Sequence, residues 1–271
     1  MIIVAGLDVG SLATKTVILD QEQRVMSYDI SLTIGDSRGA AESSFRNALA
    51  KAGLKKDIVN YIVATGYGRN TIAFSDKEVT EITCHASGAH FIYPDTRTVL
   101  DIGGQDSKAI ALGYNGEVVD FVMNDKCAAG TGRFIEVMAQ ALGVLLESMG
   151  DLSKKSLNPT VISSFCTVFA ESEVVSLVAE GRDKIDIIRG IHEAIAERAV
   201  TLLNKIKMIE PVAMTGGVAK NKGVVVALEN RLKLKISVPD EPQIVGALGA
   251  ALIALRTFRK KFEPADIIKY L

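Results

Sequence analysis

Apolar and polar side chains alternate along the first 35 residues of the chain, with short turns between the runs. A period of two is typical of strands that bury one face, whereas later segments have the spacing of amphipathic helices. The pattern predicts three antiparallel strands, a helix, a short strand and a second helix, in that order, over residues 2–9, 14–20, 24–32, 40–52, 60–64 and 78–92. Gly53 is expected to cap the first helix.

The opening pattern occurs a second time. An apolar strand again delivers an Asp and a glycine turn, so that Asp8 and Asp101 stand at equivalent points 93 residues apart. Returning strands are predicted over 108–112 and 117–123, which implies an internal duplication. The remaining predicted elements are five helices and one strand, over residues 133–146, 167–179, 185–207, 222–231 and 243–254, and 212–214.

The composition excludes several classes of protein. With 31 basic and 32 acidic residues the formal net charge is −1, which gives no electrostatic reason to expect nucleic acid or an anionic membrane as a partner. No apolar run approaches the ~18 residues of a membrane span. The first residues lack a basic segment and lead into Asp8, so they predict a strand and not a signal peptide. A cytoplasmic protein is expected.

Two Asp-x-Gly turns lie between the repeated strands, in Asp8-Val9-Gly10-Ser11 and in Asp101-Ile102-Gly103-Gly104-Gln105. Glycine allows backbone amides to approach a phosphate closely. Either turn alone is typical of a plain β-hairpin. Two equivalent turns in the two halves of the chain favour a phosphate-binding site. No Walker-type P-loop and no GxGxxG motif is found. The candidate phosphate-binding residues are Gly10, Ser11, Leu12, Thr14, Lys15, Gly103, Gly104 and Gln105.

Asp8 and Asp101 are candidate anchors for Mg²⁺. This ion keeps several waters and is usually held through one or two carboxylates and the phosphates of a substrate. A third motif, Thr215-Gly216-Gly217-Val218, follows a predicted strand and precedes a helix. Gly216, Gly217 and Val218 are expected to contact the nucleotide near that helix N-terminus.

The three cysteines, Cys84, Cys127 and Cys166, contain no CxxC pair and do not suggest a disulfide framework. Cys127 and Cys166 each precede a predicted helix, whose positive dipole end stabilises a thiolate. Cys84 lies within a predicted helix. A [4Fe–4S] cluster takes four thiolates, which two chains related by a two-fold axis could supply as Cys127 and Cys166 from each. Zinc is the chemical alternative.

The glycine motifs, together with a small-residue segment over residues 246–251, resemble those of the actin, hexokinase and Hsp70 ATPase superfamily. They resemble, in order, its phosphate-1, phosphate-2, adenosine and connecting motifs. The resemblance implies an α/β fold of duplicated ribonuclease H-like β-β-β-α-β-α domains with a nucleotide cleft between them. The first domain would comprise residues 1–96 with 247–271, and the second would comprise residues 97–246.

The segments 124–134 and 166–173 resemble the activators of 2-hydroxyacyl-CoA dehydratases. That family implies a homodimer in which Cys127 and Cys166 of both copies hold one [4Fe–4S] cluster. ATP hydrolysis would drive a low-potential electron, received from a ferredoxin or flavodoxin, into a dehydratase. Gln105 is expected to orient the attacking water, with Asp8 and Asp101 on Mg²⁺. The alternatives are an ATPase subunit of a benzoyl-CoA reductase, a small-molecule kinase of the superfamily and a non-enzymatic ATP-dependent clamp.

Overall fold

The computed structural model describes residues 1–33, 35–163 and 166–262. The chain divides into two compact units. The first comprises Met1–Asp95, Tyr114–Val118 and the chain from Gln243 onward, and the second comprises Thr96–Gly113 and Val119–Pro242. Residues 263–271, which the sequence assigns to the first domain, lie outside the described residues.

The first unit contains a five-stranded mixed sheet in the order β3-β2-β1-β4-β5. Strands β1, β2 and β3 are antiparallel, and β4 runs parallel to β1. Its strands are β1 (Ile3–Val9), β2 (Ala13–Asp20), β3 (Val25–Leu32), β4 (Tyr61–Thr65) and β5 (Lys77–Glu78), and its helices are α1 (Ser37–Ala52), α2 (Glu81–Ile92) and α8 (Val245–Phe262).

The second unit contains a second five-stranded sheet in the order β10-β9-β6-β7-β8. One large apolar core lies within this unit. Its strands are β6 (Thr98–Ile102), β7 (Ser107–Leu112), β8 (Val118–Asn124), β9 (Val212–Thr215) and β10 (Ile236–Ser237), and its helices are α3 (Gly132–Leu142), α4 (Met149–Ser153), α5 (Thr167–Ala179), α6 (Lys184–Leu203) and α7 (Lys222–Leu232).

The predicted duplication is confirmed at the level of strand register. In the first sheet Asp8 lies opposite Lys15, and in the second Asp101 lies opposite Lys108. The central strand of each sheet pairs with the returning strand on one side and with a parallel strand on the other. The same supersecondary unit therefore ends in the same Asp-containing turn twice.

Several predicted helix bounds are wrong. α2 begins at Glu81 and not at residue 78, because Lys77 and Glu78 pair with β4 as a short edge strand. α3 ends at Leu142 and not at residue 146, because Gly143 adopts a left-handed conformation with φ of 64° and caps the helix. α8 continues past the predicted end at residue 254 and finishes with basic residues in its last turn.

The small residues of α8 serve close packing within the first unit. A Cβ atom at Gly249 would overlap the carbonyl oxygen of Cys84 in α2, and one at Gly6 in β1 would overlap that of Ala247. Glycine is required at both positions because backbone approaches backbone there. Among the described residues, no helix combines the length and the apolar character needed to cross a lipid bilayer.

Candidate functional site

The turn between β1 and β2 forms the first candidate phosphate loop. Asp8 is buried at the end of β1, and its Oδ2 lies 3.0 Å from Lys15 Nζ on β2. The amide of Gly10 donates to the carbonyl of Ala13 at 3.1 Å and closes the turn. A Cβ at Gly10 would lie 2.8 Å from that same oxygen. The turn is thus too tight for any side chain at position 10.

Two further glycine segments support this loop. The sequence placed Gly246 in the connecting motif and gave no role to Gly66 and Gly68. Gly66, with φ of 91°, follows β4 and lies against the backbone of Val9, and Gly68 donates its amide to Val9 at 2.9 Å. Gly246 lies over the Asp8 carboxylate, since a Cβ there would be 3.1 Å from Asp8 Oδ2. For Gly66 and Gly68, the available signal in the sequence was that both glycines closely follow a predicted strand, residues 60–64.

The neighbouring candidates have different surroundings. Thr14 is fully buried, and its Oγ1 lies 2.9 Å from Thr33 Oγ1. The carbonyl of Leu12 accepts from the amide of Thr33 at 2.9 Å. Ser11 is half-buried in the turn. Thr14 therefore has a structural partner already, and contacts of Ser11, Leu12 and Thr14 with phosphate stay predictions.

The turn between β6 and β7 forms the second candidate loop and repeats the chemistry of the first. Asp101 is 2% exposed, and its Oδ2 lies 3.3 Å from Lys108 Nζ. Its other oxygen accepts from Thr215 Oγ1 at 2.8 Å. Lys108 also reaches Asp106 Oδ2 at 2.8 Å. The sequence prediction omitted Lys108 and Thr215, although the duplication puts Lys108 where Lys15 stands.

The carbonyl groups of the second loop bind the start of α3. The amide of Gly132 donates to Gly103 at 2.9 Å, and the amide of Arg133 donates to Gly104 at 2.8 Å. The first amides of a helix have no partner within it, so these bonds satisfy two of them. Gln105 lies exposed at the tip of the same loop. The loop is therefore joined by backbone bonds to the segment that follows Cys127.

The third motif lies between β9 and α7, in the order that the sequence predicts. Gly216 has φ of 85°, and a Cβ there would overlap the carbonyl oxygen of Ile102. A short 3₁₀ turn, Gly217–Lys220, then leads to α7. The Asn221 side chain caps α7 and accepts from the amide of Gly223 at 3.0 Å. The helix thus begins at Lys222 as predicted, and the Asn221 side chain accepts from its first amides. Contacts of Gly216, Gly217 and Val218 with the nucleotide stay predictions.

Cys127 and Cys166 are both exposed, and only Cys166 lies at a helix N-terminus. Cys166 is the N-cap residue of α5, and its carbonyl accepts from Ala170 at 2.9 Å. Cys127 lies in the loop before α3, separated from that helix by a turn in which Thr131 Oγ1 donates to Ala128 at 2.6 Å. Both cysteines precede a helix as predicted. Cys166 lies directly at the N-terminus of α5, and Cys127 lies further from α3, whose N-cap is Thr131.

Cys84 has the opposite environment. It is fully buried in α2, and burial raises the pKa of its thiol to about 12. A neutral buried thiol is a poor metal ligand. In the part of the chain that the structure describes, no group of three or more His, Cys, Asp or Glu side chains is arranged to hold a metal ion. The donor set thus fits a four-thiolate cluster only if two chains contribute two thiols each.

Comparison of the sequence with known proteins identifies related ATPases. Residues 5–254 match the BadF/BadG/BcrA/BcrD ATPase family. The chain is 46% identical over 256 residues to the activator of lactoyl-CoA dehydratase of Anaerotignum propionicum, a match that covers 94% of this chain and 98% of that protein.

Solved structures are similar as well. The activator of 2-hydroxyisocaproyl-CoA dehydratase from Clostridium difficile with bound ADPNP has a TM-score of 0.93 and 42% identity, and the match covers 97% of each chain. A ROK-family glucokinase from Streptomyces griseus, at 14% identity and a TM-score of 0.58, covers 94% of this chain and 99% of its own and shares the fold alone. The predicted actin- and hexokinase-type fold is confirmed, and the chain belongs to the BadF/BadG/BcrA/BcrD ATPase family.

Proposed function

We propose that this chain is an ATP-hydrolysing activator of a 2-hydroxyacyl-CoA dehydratase. It acts as a homodimer in which Cys127 and Cys166 of both copies hold one [4Fe–4S] cluster. A ferredoxin or flavodoxin supplies the electron that the dehydratase receives. The observation that carries the proposal is the pair of backbone hydrogen bonds that joins the second phosphate loop to the helix after Cys127.

The nucleotide part of the proposal rests on the two Asp-containing loops. Each offers one buried carboxylate, Asp8 or Asp101, with a lysine beside it. A single carboxylate per loop suits Mg²⁺, which keeps most of its waters and binds the phosphates directly. The backbone amides around Gly10 and Gly103 contact the phosphates. The similar activator from Clostridium difficile was solved with ADPNP, an analogue of the nucleotide proposed for this chain.

Hydrolysis requires a group that orients water. Gln105 is exposed at the tip of the second loop, where its amide can donate to and accept from a water molecule. A neutral amide does not take up the proton, which suits slow hydrolysis that depends on a conformational change.

The cluster would be held by Cys127 and Cys166, whose thiols are exposed, and not by Cys84, which is buried. When bound, a [4Fe–4S] cluster supplies one-electron chemistry at low potential. The chain's own contribution is to present two thiolates on one unit. The N-terminus of α5 stabilises the negative charge at Cys166.

Coupling between ATP and the cysteines follows from the loop contacts. Gly132 and Arg133 donate to the carbonyls of Gly103 and Gly104, so a shift of the loop displaces the start of α3. A Cβ at Gly132 would lie only 3.2 Å from the Gly103 oxygen, so the two backbones are in contact. ATP and ADP change the population of the two arrangements to the extent that they bind them differently.

The test is ATP-dependent activation of a purified 2-hydroxyacyl-CoA dehydratase under strictly anaerobic conditions, with a chemical reductant. We expect activation with ATP and none with ADPNP. The Cys166→Ala variant should fail to activate although it still binds ATP, whereas the matched Cys84→Ala variant should activate normally. Activation by Cys166→Ala at the level of the unmodified chain would refute the proposed function.

A further inference from the structure

The loop that contains Cys127 packs against an arginine side chain of α6. Gly130, with φ of 87°, lies against Arg198 of α6, and a Cβ at Gly130 would be 3.1 Å from Arg198 Cδ. Any side chain at position 130 would displace the arginine stem. The glycine therefore allows the stem of Arg198 to pass beneath the loop.

The guanidinium group of Arg198 lies over an aromatic ring. Its guanidinium carbon lies 5.0 Å from the centroid of Phe134, a fully buried residue in the first turn of α3. Cation–π contacts of this kind orient arginine and are stronger when water is excluded. These two contacts of Arg198 are thus with the segment that begins at Cys127.

The electrostatics agree with this arrangement. Burial holds the pKa of Arg198 below its ordinary value, and the charges of Cys127 and Glu197 act in the opposite direction. Arginine nonetheless stays protonated in proteins. A positive charge therefore lies within electrostatic range of Cys127, in the same unit.

We propose that Arg198 is a positioning residue for Cys127 and that its charge raises the reduction potential of the cluster which Cys127 helps to hold. The inference rests on the proposed function. Reduction adds negative charge to the cluster, so a cation held nearby stabilises the reduced state. Without that cation the position of the Cys127 thiolate is less restricted, and the reduced cluster is less stable.

The experiment is a redox titration of the anaerobically purified full chain, followed by EPR of the reduced cluster. For Arg198→Met we expect the equilibrium constant for reduction to fall by about tenfold, which is about 59 mV toward more negative potential for one electron. Arg198→Lys keeps the charge and should stay within about twofold of the unmodified chain. The matched control is Arg189→Met, since Arg189 lies on the same helix and pairs with Glu193 at 2.9 Å.

The outcomes separate this inference from the proposed function. An unchanged potential in Arg198→Met, with iron present at the normal level, overturns the role of Arg198 and leaves the proposed function intact. If Arg198→Met loses its iron while Arg198→Lys keeps it, the requirement for the cation is supported. Equal loss from both variants overturns the charge effect. Absence of iron from the unmodified chain contradicts the proposed function, and the inference fails with it.

Discussion

The carboxylate of Asp101 contacts Lys108 Nζ at 3.3 Å and Thr215 Oγ1 at 2.8 Å within the second unit. Replacing Asp101 by Ala removes a buried polar contact from Lys108 and from Thr215. We expect this loss to lower the unfolding free energy by about 1–3 kcal/mol. Loss of the Mg²⁺ anchor should lower ATP turnover by about a hundredfold or more.

Asp101→Asn separates these two effects. The amide oxygen still accepts from Thr215, so we expect a smaller loss of stability in urea unfolding with an equally low ATP turnover. The control is Asp29→Asn, because Asp29 is also buried and paired with a lysine, Lys51, at 2.8 Å, and lies on β3 outside both loops. Normal turnover in Asp101→Asn would remove Asp101 from the phosphate site.

Gln105 is exposed and belongs to the loop through its backbone, so its side chain can be changed without disturbing the fold. We expect Gln105→Ala to lower the rate of hydrolysis by about tenfold or more while ATP affinity is unchanged, because the amide acts in the transition state. Stability should stay within about 0.5 kcal/mol. Single-turnover hydrolysis and equilibrium binding check this, with Gln140→Ala on α3 as the exposed control. Weaker ATP binding at an unchanged rate would contradict the catalytic role.

At the scale of elements, α6 and α7 meet at a buried histidine. His192 is fully buried and its Nε2 lies 3.1 Å from Asn221 Nδ2, the residue that caps α7. A Cβ at Gly223 would overlap the His192 ring, so the helices approach closely there. Burial lowers the pKa of His192 to about 4. This contact should make the stability of the second unit depend on pH.

The sign follows from proton linkage. The unfolded chain binds a proton at His192 below its ordinary pKa of about 6.5, and the folded chain does so only below about 4. The contribution is full above pH 6.5 and is lost as the pH falls to about 4, by roughly 3 kcal/mol in total. His192→Gln lacks this proton. In urea unfolding over this pH range, the unfolding free energy of His192→Gln should rise relative to that of the unmodified chain as the pH falls. A difference in unfolding free energy that does not change with pH would contradict the assignment.

The sequence predicted the hairpins better than the contacts made by their turns. Alternation identified β1, β2 and β3, and the repeated Asp turn identified the duplication, because both signals are local. The bonds from Gly132 and Arg133 to Gly103 and Gly104 join segments about thirty residues apart and leave no local pattern. Strand β10 is only two residues long, Ile236 and Ser237, and its pairing with β9 decides its structure. Long-range pairing of this kind is set by the tertiary fold.

The cysteines illustrate the same limit. Their positions before predicted helices, and the glycine-rich segment after Cys127, singled out Cys127 and Cys166 over Cys84, and their exposure agrees with that choice. The role of Arg198 was not foreseen, since it lies on α6, far along the chain from the loop that it supports. A half-buried arginine in a helix has no distinctive sequence signal.

At the scale of the whole molecule, the duplication places an Asp–Lys pair at the equivalent loop of each unit, whereas both exposed cysteines belong to the second unit alone. The chain is thus symmetric in its proposed nucleotide chemistry and asymmetric in its proposed redox chemistry. Two thiols per chain are half of what a [4Fe–4S] cluster takes. The proposed cluster would therefore need the thiols of two chains.

Iron and sulfide per chain in anaerobically purified protein test this central claim most directly. The account predicts about two irons and two sulfides per chain, half of one cluster. Cys166→Ala should lose nearly all of both, because symmetry removes two ligands at once, and Cys84→Ala should keep them. Four irons per chain in a monomer, or a cluster that survives in Cys166→Ala, would contradict the account.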